Sequence, residues 1–374
     1  MIYLDYAADT PADEEVLKVF TEMQREYFAN PNSTHPLGLS AAKKLREALD
    51  GIKGFFDGIE THEFISLSSA SEANNLAIKG IAETYRERGR HIVSTVLEHP
   101  SVGGALTYLQ SKGWEVELVS VGRDGKIDLE HLRSLMRKDT VLVTVAAVDS
   151  ELGTVQPIER IAEIVAEYPA CRFHTDATQA VGRIPFSLSG VHAASFAAHK
   201  LYGLNGSGFL IRHNRTVLTP LIHGGNSLSP YRSGTPSLPL IASAYKALEL
   251  MFGGIETRFK AVSALNRTLR DRLKTVGGIL INSPTDASPY ILNFSAVGIK
   301  AEVLKDALGE RGVAASVKSA CSVKNTPSKA VYAVTGDKKR ALSSVRFSLS
   351  HLTTEEEAVT AVEILRECVL KLKI

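Results

Sequence analysis

The sequence predicts an α/β fold: a mostly parallel sheet between helices, followed by a smaller α+β unit. Two observations carry the prediction. Apolar, β-branched segments alternate with longer helix-period segments through the first 210 residues, the rhythm of βαβ units, and that rhythm changes after Gly253-Gly254. The length of 374 residues agrees with it, because such a chain buries about three quarters of its unfolded surface, enough for one large and one smaller core.

In chain order, residues 63–67 read as a strand, 71–88 as a helix with Ser71 as a suitable N-cap, and 91–97 as a second strand. A strand at 115–121, a turn at Asp124-Gly125 and a helix over 128–138 follow. Residues 141–148 read as a buried strand, 158–168 as a helix with Pro157 in its first turn, and 171–175 as the next strand. Beyond Gly254, a long charged helix over 255–276 precedes strands between 279 and 293, a helix over 301–310 and a C-terminal helix from about 354, where Thr353 and Glu356 have capping-box spacing. The division implied is 1–255 and 256–374, with about the first 15 residues expected to pack on the smaller unit.

Composition excludes several function classes. A hydrophobic share of 44%, a charged share of 22% and a net charge of +2 show no basic excess of the kind nucleic acid requires. The opening MIYLDYAADTPADEE is acidic where a signal peptide is basic, and no apolar run is long enough to span a bilayer, so a cytoplasmic location without membrane contact is expected. Cys171, Cys321 and Cys368 form neither a disulfide framework nor a metal knuckle, and the histidines form no H-E-x-x-H, so no metal is expected.

Chemistry concentrates around Lys200, which follows the small-residue run 193–199 and precedes the glycine-spaced stretch 203–208. A lysine in so apolar and tightly turned a place suits Schiff-base formation with a carbonyl cofactor such as pyridoxal phosphate, whose ring nitrogen needs an acidic partner. Asp176, at the carboxyl end of a strand where ligands bind such sheets, is the candidate partner. Gln179 can donate to the phenolic oxygen of the ring, and His99 suits a place on the ring as a proton relay. The turn Ser68-Ser69-Ala70-Ser71-Glu72 joins a strand to a helix and can cradle a phosphate at the helix N-terminus, although Ser71 serves equally well there as an ordinary cap.

With these residues in place, a longer series of motifs emerges: Tyr3-Leu4-Asp5-Tyr6-Ala7-Ala8, Asn30-Pro31-Asn32-Ser33, Ala70-Ser71-Glu72 with Asn75-Leu76-Ala77-Ile78-Lys79-Gly80, Glu98-His99, Asp176-Ala177-Thr178-Gln179, His199-Lys200, Arg232-Ser233-Gly234-Thr235, Ser319-Ala320-Cys321 and Arg346-Phe347-Ser348. The chain thereby resembles, nearly end to end, the class V aminotransferase group of fold-type I pyridoxal-phosphate enzymes, and within it the NifS/IscS cysteine desulfurases. The resemblance implies that Lys200 bonds the cofactor covalently, Asp176 pairs with its ring nitrogen, His99 stacks on the ring and Gln179 meets its phenolic oxygen. It also implies that Ala70, Ser71 and His199 line the phosphate and that Thr235 reaches it from a second subunit, hence a homodimer. Arg346 is expected to anchor the carboxylate of L-cysteine with its planar fork. Cys321 is expected to be the thiolate that takes the substrate's sulfur as a persulfide, releasing alanine and passing sulfur to an acceptor or scaffold protein for iron–sulfur cluster assembly or tRNA thiolation, with Lys318 favouring the thiolate if it lies near.

Five positions depart from the family pattern: Asp149-Ser150 stand for an asparagine pair, Ala197 for a phosphate-binding serine, Lys318 for a glycine and Leu204 for a proline. The loss of polar contacts at Ser150 and Ala197 is expected to weaken cofactor binding by about 0.5–1.5 kcal/mol each. Open beside the desulfurase reading are a selenocysteine lyase, another class V aminotransferase, and a degenerate homologue that serves as a binding scaffold.

Overall fold

The computed structural model describes residues 1–225, 227–318 and 326–372. After the short strand β1 (Ile2–Tyr3) come α1 (Glu14–Glu26) and α2 (Pro36–Lys53). Asp13 caps α1 by accepting the Glu15 N–H, and Pro36 opens α2, where a missing N–H costs nothing. Four strand–helix units follow: β2 (His62–Leu67) and α3 (Ala70–Tyr85), β3 (His91–Thr95) and α4 (Pro100–Ser111), β4 (Glu115–Val119) and α5 (Leu129–Leu135), β5 (Thr140–Thr144) and α6 (Ile158–Ala166). Then come β6 (Arg172–Asp176), β7 (Ala193–Ala197), β8 (Gly208–His213) and α7 (Leu238–Phe252).

These strands form one seven-stranded sheet in the order β2-β8-β7-β6-β5-β3-β4. It is parallel from β7 to β4, and β8 runs antiparallel to both its neighbours. Every residue of β3, β5 and β7 is buried, as a parallel sheet covered on both faces requires. One face packs Phe173, Phe196 and Phe209 against α2 and α7; the other packs Ile65, Ile92 and Leu210 against α3 and α4. The carboxyl ends of β2, β3, β6 and β7 lie along one edge, and the site stands there. Gly208 sets part of that edge, because a Cβ on it would lie 2.2 Å from the Ser69 backbone. Only glycine lets the start of α3 approach β8 so closely.

The second core belongs to α8 (Ile255–Lys274), β9 (Ile279–Ile281), β10 (Ile291–Ala296), α9 (Ala301–Glu310), β11 (Val313–Ala314), α10 (Lys329–Thr335), α11 (Lys338–Leu342), β12 (Ser344–Ser348) and α12 (Glu355–Leu372). An antiparallel sheet β12-β10-β9 packs Leu292, Phe294, Val345 and Phe347 against α8, α9 and α12. The chain start joins this core: β1 pairs parallel with β11, and Leu4 is buried with Leu292 and Val313. Among the described residues no single helix is long and apolar enough to cross a membrane.

Three expectations need correction. Ser69, not Ser71, caps α3, because its hydroxyl accepts the Glu72 N–H at 3.2 Å while Glu72 accepts the Ser68 N–H at 2.6 Å. The C-terminal capping box uses Thr354 and Glu357, whose reciprocal bonds measure 3.1 and 2.9 Å, while Thr353 instead accepts the Ser350 N–H. The strand expected over 141–148 ends as a regular strand at Thr144; Val145 and Ala147 still donate to the His174 and Asp176 carbonyls of β6, and the chain then turns where the Asp149 N–H bonds the Thr154 carbonyl. Helices α1, α2, α4, α7, α10 and α11 and strands β1, β7, β8, β11 and β12 are additional to the elements read from sequence.

Candidate active site

A cavity of about 240 Å³ opens at the carboxyl edge of the large sheet. Its wall contains Ala70, Ser71, His99, Ser150, Asp176, Gln179, His199, Lys200 and Arg346, residues that the sequence reading singled out separately. Thr235 is exposed and is not part of this wall. Cys321 lies outside the described residues.

Asp176 ends β6, the central strand of the floor, with 7% of its surface exposed. Its Oδ1 accepts the Thr178 N–H at 3.0 Å and its Oδ2 accepts Asn74 Nδ2 at 2.8 Å. An ionised carboxylate has room for further donors beyond these two, so Asp176 is able to receive a cationic N–H from the cavity. Asn74, which the sequence reading missed, also donates to Ser101 Oγ at 2.9 Å and so ties α3 to α4 beneath the site. Its signal was an asparagine flanked by the apolar face Ala73, Leu76 and Ala77 of α3.

His99 is the N-cap of α4. The Ser101 N–H donates to its Nδ1 at 3.2 Å, which places the ring proton on Nε2. Burial, reinforced by Lys200 and Arg346 against the opposing pull of Asp176, holds the imidazole below its ordinary range, so it is neutral near pH 7. Lys200 sits at the end of the turn after β7, and its Nζ donates to the carbonyls of Ala7, at 2.8 Å, and Ala8. Burial, with Arg183 and Arg346 nearby, lowers its pKa from 10.5 to about 8, so a sizeable neutral, nucleophilic fraction exists near neutral pH.

In the same wall, the first turn of α3 offers the N–H groups of Ala70 and Ser71, which have no acceptor among the described hydrogen bonds. Such a helix start favours an anion. The methyl of Ala197, buried in β7, supplies nothing polar there.

Arg346 projects from β12 and is 1% exposed, not the surface arginine that its strand position alone suggests. Its Nη2 bonds Asp5 Oδ1 at 2.9 Å and its Nη1 bonds the Ser150 carbonyl at 2.7 Å, while its buried Nε has no partner among the described residues. Asp5 is held in place because its segment bridges onto Ser348 of the same strand. The asparagine-to-acid change at position 149 has a structural reading: Asp149 Oδ1 accepts the N–H groups of Glu151, at 3.1 Å, and of Leu152, closing the turn that presents Ser150. Burial, with Glu151 adding to it, raises Asp149 to about 7. Lys318 is buried with its Nζ on Thr326 at 2.9 and 2.8 Å, bridging the two ends of the segment that contains Cys321.

The wall therefore offers an amine of depressed basicity, a buried carboxylate, helix-start N–H groups and a buried guanidinium with an unused N–H. That donor and acceptor set fits a phosphorylated pyridine aldehyde and an amino-acid carboxylate side by side.

Comparison with known proteins agrees. The model of the family "Aminotransferase class-V" matches residues 2–361. The chain is 34% identical to the cysteine desulfurase IscS of Dictyoglomus turgidum over 377 residues, covering 100% of this chain and 95% of that protein. Among solved structures it is similar to a NifS-like protein, with a TM-score of 0.92 at 32% identity over 99% of this chain and 100% of that one. It is also similar to SspA in complex with cysteine, with a TM-score of 0.81 at 30% identity over 95% and 100%.

Proposed function

The chain belongs to the class-V aminotransferase family, and from that premise we propose that it is a pyridoxal-phosphate-dependent cysteine desulfurase that converts L-cysteine to L-alanine. The observation that carries this reading is the single cavity in which Lys200, Asp176, His99 and Arg346 meet, in a chain similar over its whole length to proteins of that activity. Bound pyridoxal phosphate supplies an electrophilic aldehyde and a ring that withdraws electrons from the substrate's α-carbon.

The chain's own groups do the rest. Lys200 would provide the amine that bonds the aldehyde, and its lowered basicity keeps part of it deprotonated for that role. Asp176 would accept the ring N–H of the cofactor and keep that nitrogen protonated, and Gln179 would donate to its phenolic oxygen. Ala70 and Ser71, with His199, face the phosphate. Arg346 binds the substrate carboxylate through the N–H groups that Asp5 and Ser150 leave over. His99, neutral with its proton on Nε2, exchanges protons with the substrate. The Cys321 thiolate attacks the substrate sulfur: a sulfur–sulfur bond forms on Cys321, the carbon–sulfur bond breaks with its electron pair left on carbon, and the carbon fragment takes up a proton and leaves as alanine. An acceptor protein then takes the sulfur, for iron–sulfur cluster assembly or tRNA thiolation, and Thr235 completes the phosphate site of the other subunit in a homodimer.

The test is alanine release from L-cysteine by the reconstituted protein, with no keto acid added. Release by the wild type and its loss in Cys321→Ala is the expected result. Undiminished release in the variant overturns the persulfide step, and release only with an amino acceptor makes the protein an aminotransferase.

A further inference from the structure

Arg183 is 2% exposed, and no carboxylate pairs with it among the described residues. A buried guanidinium without a counter-ion is costly unless its donors are spent on something specific. Here Nη1 donates to Gln179 Oε1 at 2.5 Å, and Nη2 donates to the carbonyls of Lys200 at 2.9 Å and Tyr6 at 3.0 Å. The flat face of the group lies 5.6 Å from the Tyr290 ring centre.

These bonds have a directional consequence. Arginine donates and never accepts, so the Gln179 side chain must turn its oxygen toward Arg183. The Ala7 carbonyl, an acceptor, takes one N–H of Gln179 Nε2 at 3.0 Å, which fixes the amide from the other side. The second N–H of that nitrogen has no acceptor among the described hydrogen bonds, and Gln179 is part of the cavity wall. Without Arg183 only the Ala7 carbonyl would oppose the amide turning its oxygen inward, where it would repel the phenolic oxygen of the cofactor.

We propose that Arg183 is a positioning residue, which locks the Gln179 amide with its nitrogen toward the cavity and ties the backbone of Lys200 to the same guanidinium. This rests on the pyridoxal-phosphate reading above and adds to it a residue that touches neither cofactor nor substrate. The cost of burying an unpaired cation is the price of a donor that cannot flip.

The experiment is an absorbance–pH titration of the cofactor-loaded protein, for wild type, Arg183→Lys, Arg183→Met, Gln179→Ala and the two double variants. Lysine keeps the charge but loses the fork. The groups that face this region are Asp5 and Asp9 of the N-terminal segment, His99, Asp176, His199, Tyr202, Tyr290 and Arg346, and all are retained in every variant. A directed N–H on the phenolic oxygen favours its ionised form, so Arg183→Lys is expected to raise the spectral midpoint by about 0.5–1 unit. In the Gln179→Ala background the same change is expected to do nothing. If Arg183→Lys leaves the midpoint in place while Arg183→Met raises it in both backgrounds, the arginine acts by charge alone and the inference falls. Loss of activity with an unmoved midpoint in both variants makes it merely structural and also overturns the inference. Failure of the wild type to acquire any cofactor absorbance would instead defeat the reading beneath it.

Discussion

The wall of the cavity that faces the large sheet and the wall that faces the N-terminal segment differ in what places their groups: strand and helix ends on the one side, the meeting of two cores on the other. On the sheet side, Asp176, Gln179, His99, Ser71 and Lys200 each stand within a few residues of a strand or helix end, so local structure sets where they start, even though Lys200 and Gln179 then reach Ala7 across 193 and 172 positions. On the other side, Arg346 meets Asp5 across 341 positions and Ser150 across 196. Strand ends thus present the groups assigned to the cofactor, whereas those assigned to the substrate carboxylate exist only once the second core has closed on the first. A lesion on the sheet side should therefore reach chemistry first, and one on the far side stability and substrate binding.

The largest expected effect breaks the chemistry on the sheet side. Lys200→Ala should lower alanine release by on the order of 10³-fold or more, while thermal denaturation shows a folded protein. Before cofactor is added, labelling of Lys200 by an amine-selective reagent, followed by peptide mass mapping, should show a midpoint near 8 and not 10.5.

Next comes the far wall. Asp5→Ala strands a fully buried guanidinium and should cost about 3 kcal/mol in urea unfolding, and Asp5→Asn, which keeps an acceptor, distinctly less. Equal losses in the two would mean that the ion pair has no special weight in joining the walls.

Asp149→Asn sharpens the comparison through pH. Burial raises the folded carboxyl to about 7 from 3.8, so the native state holds a proton that the unfolded chain has released between those values. Native stability therefore falls as pH rises through that window and is flat above it. The asparagine keeps the turn-closing oxygen and removes the titration, so it should stabilise the protein by about 1–3 kcal/mol at pH 8 and much less at pH 4, measured by unfolding at both values. The smallest effect belongs to Ser150→Asn, which restores an amide at the meeting point of the walls. It should tighten cofactor or substrate binding by about 0.5–1.5 kcal/mol, read as a several-fold lower Kd or KM.

Much of the sheet side was legible because its signals are short-range. The alternation of apolar strands with helical segments places Asp176 at a strand end, and the small-residue run 193–199 leading into a glycine-spaced stretch isolates Lys200. The caps at Ser69 and Thr354 were misplaced by one or two residues because adjacent hydroxyl residues compete for the same N–H groups, and only the backbone angles select between them. Arg183 and Asn74 escaped notice as functional groups because a lone polar residue in an apolar stretch does not say what it will meet.

By itself the sequence determined the periodicity of its elements, the order of its motifs and the chemical types at the cavity wall, since these depend on neighbours along the chain. The tertiary structure alone decided that Arg346 is buried and not a surface cation, that Asp5 is its counter-ion, and that Gln179 can face the cavity in one sense only. The reason is that burial, charge pairing and amide orientation are properties of groups brought together from distant parts of the chain, and no local pattern encodes the partner.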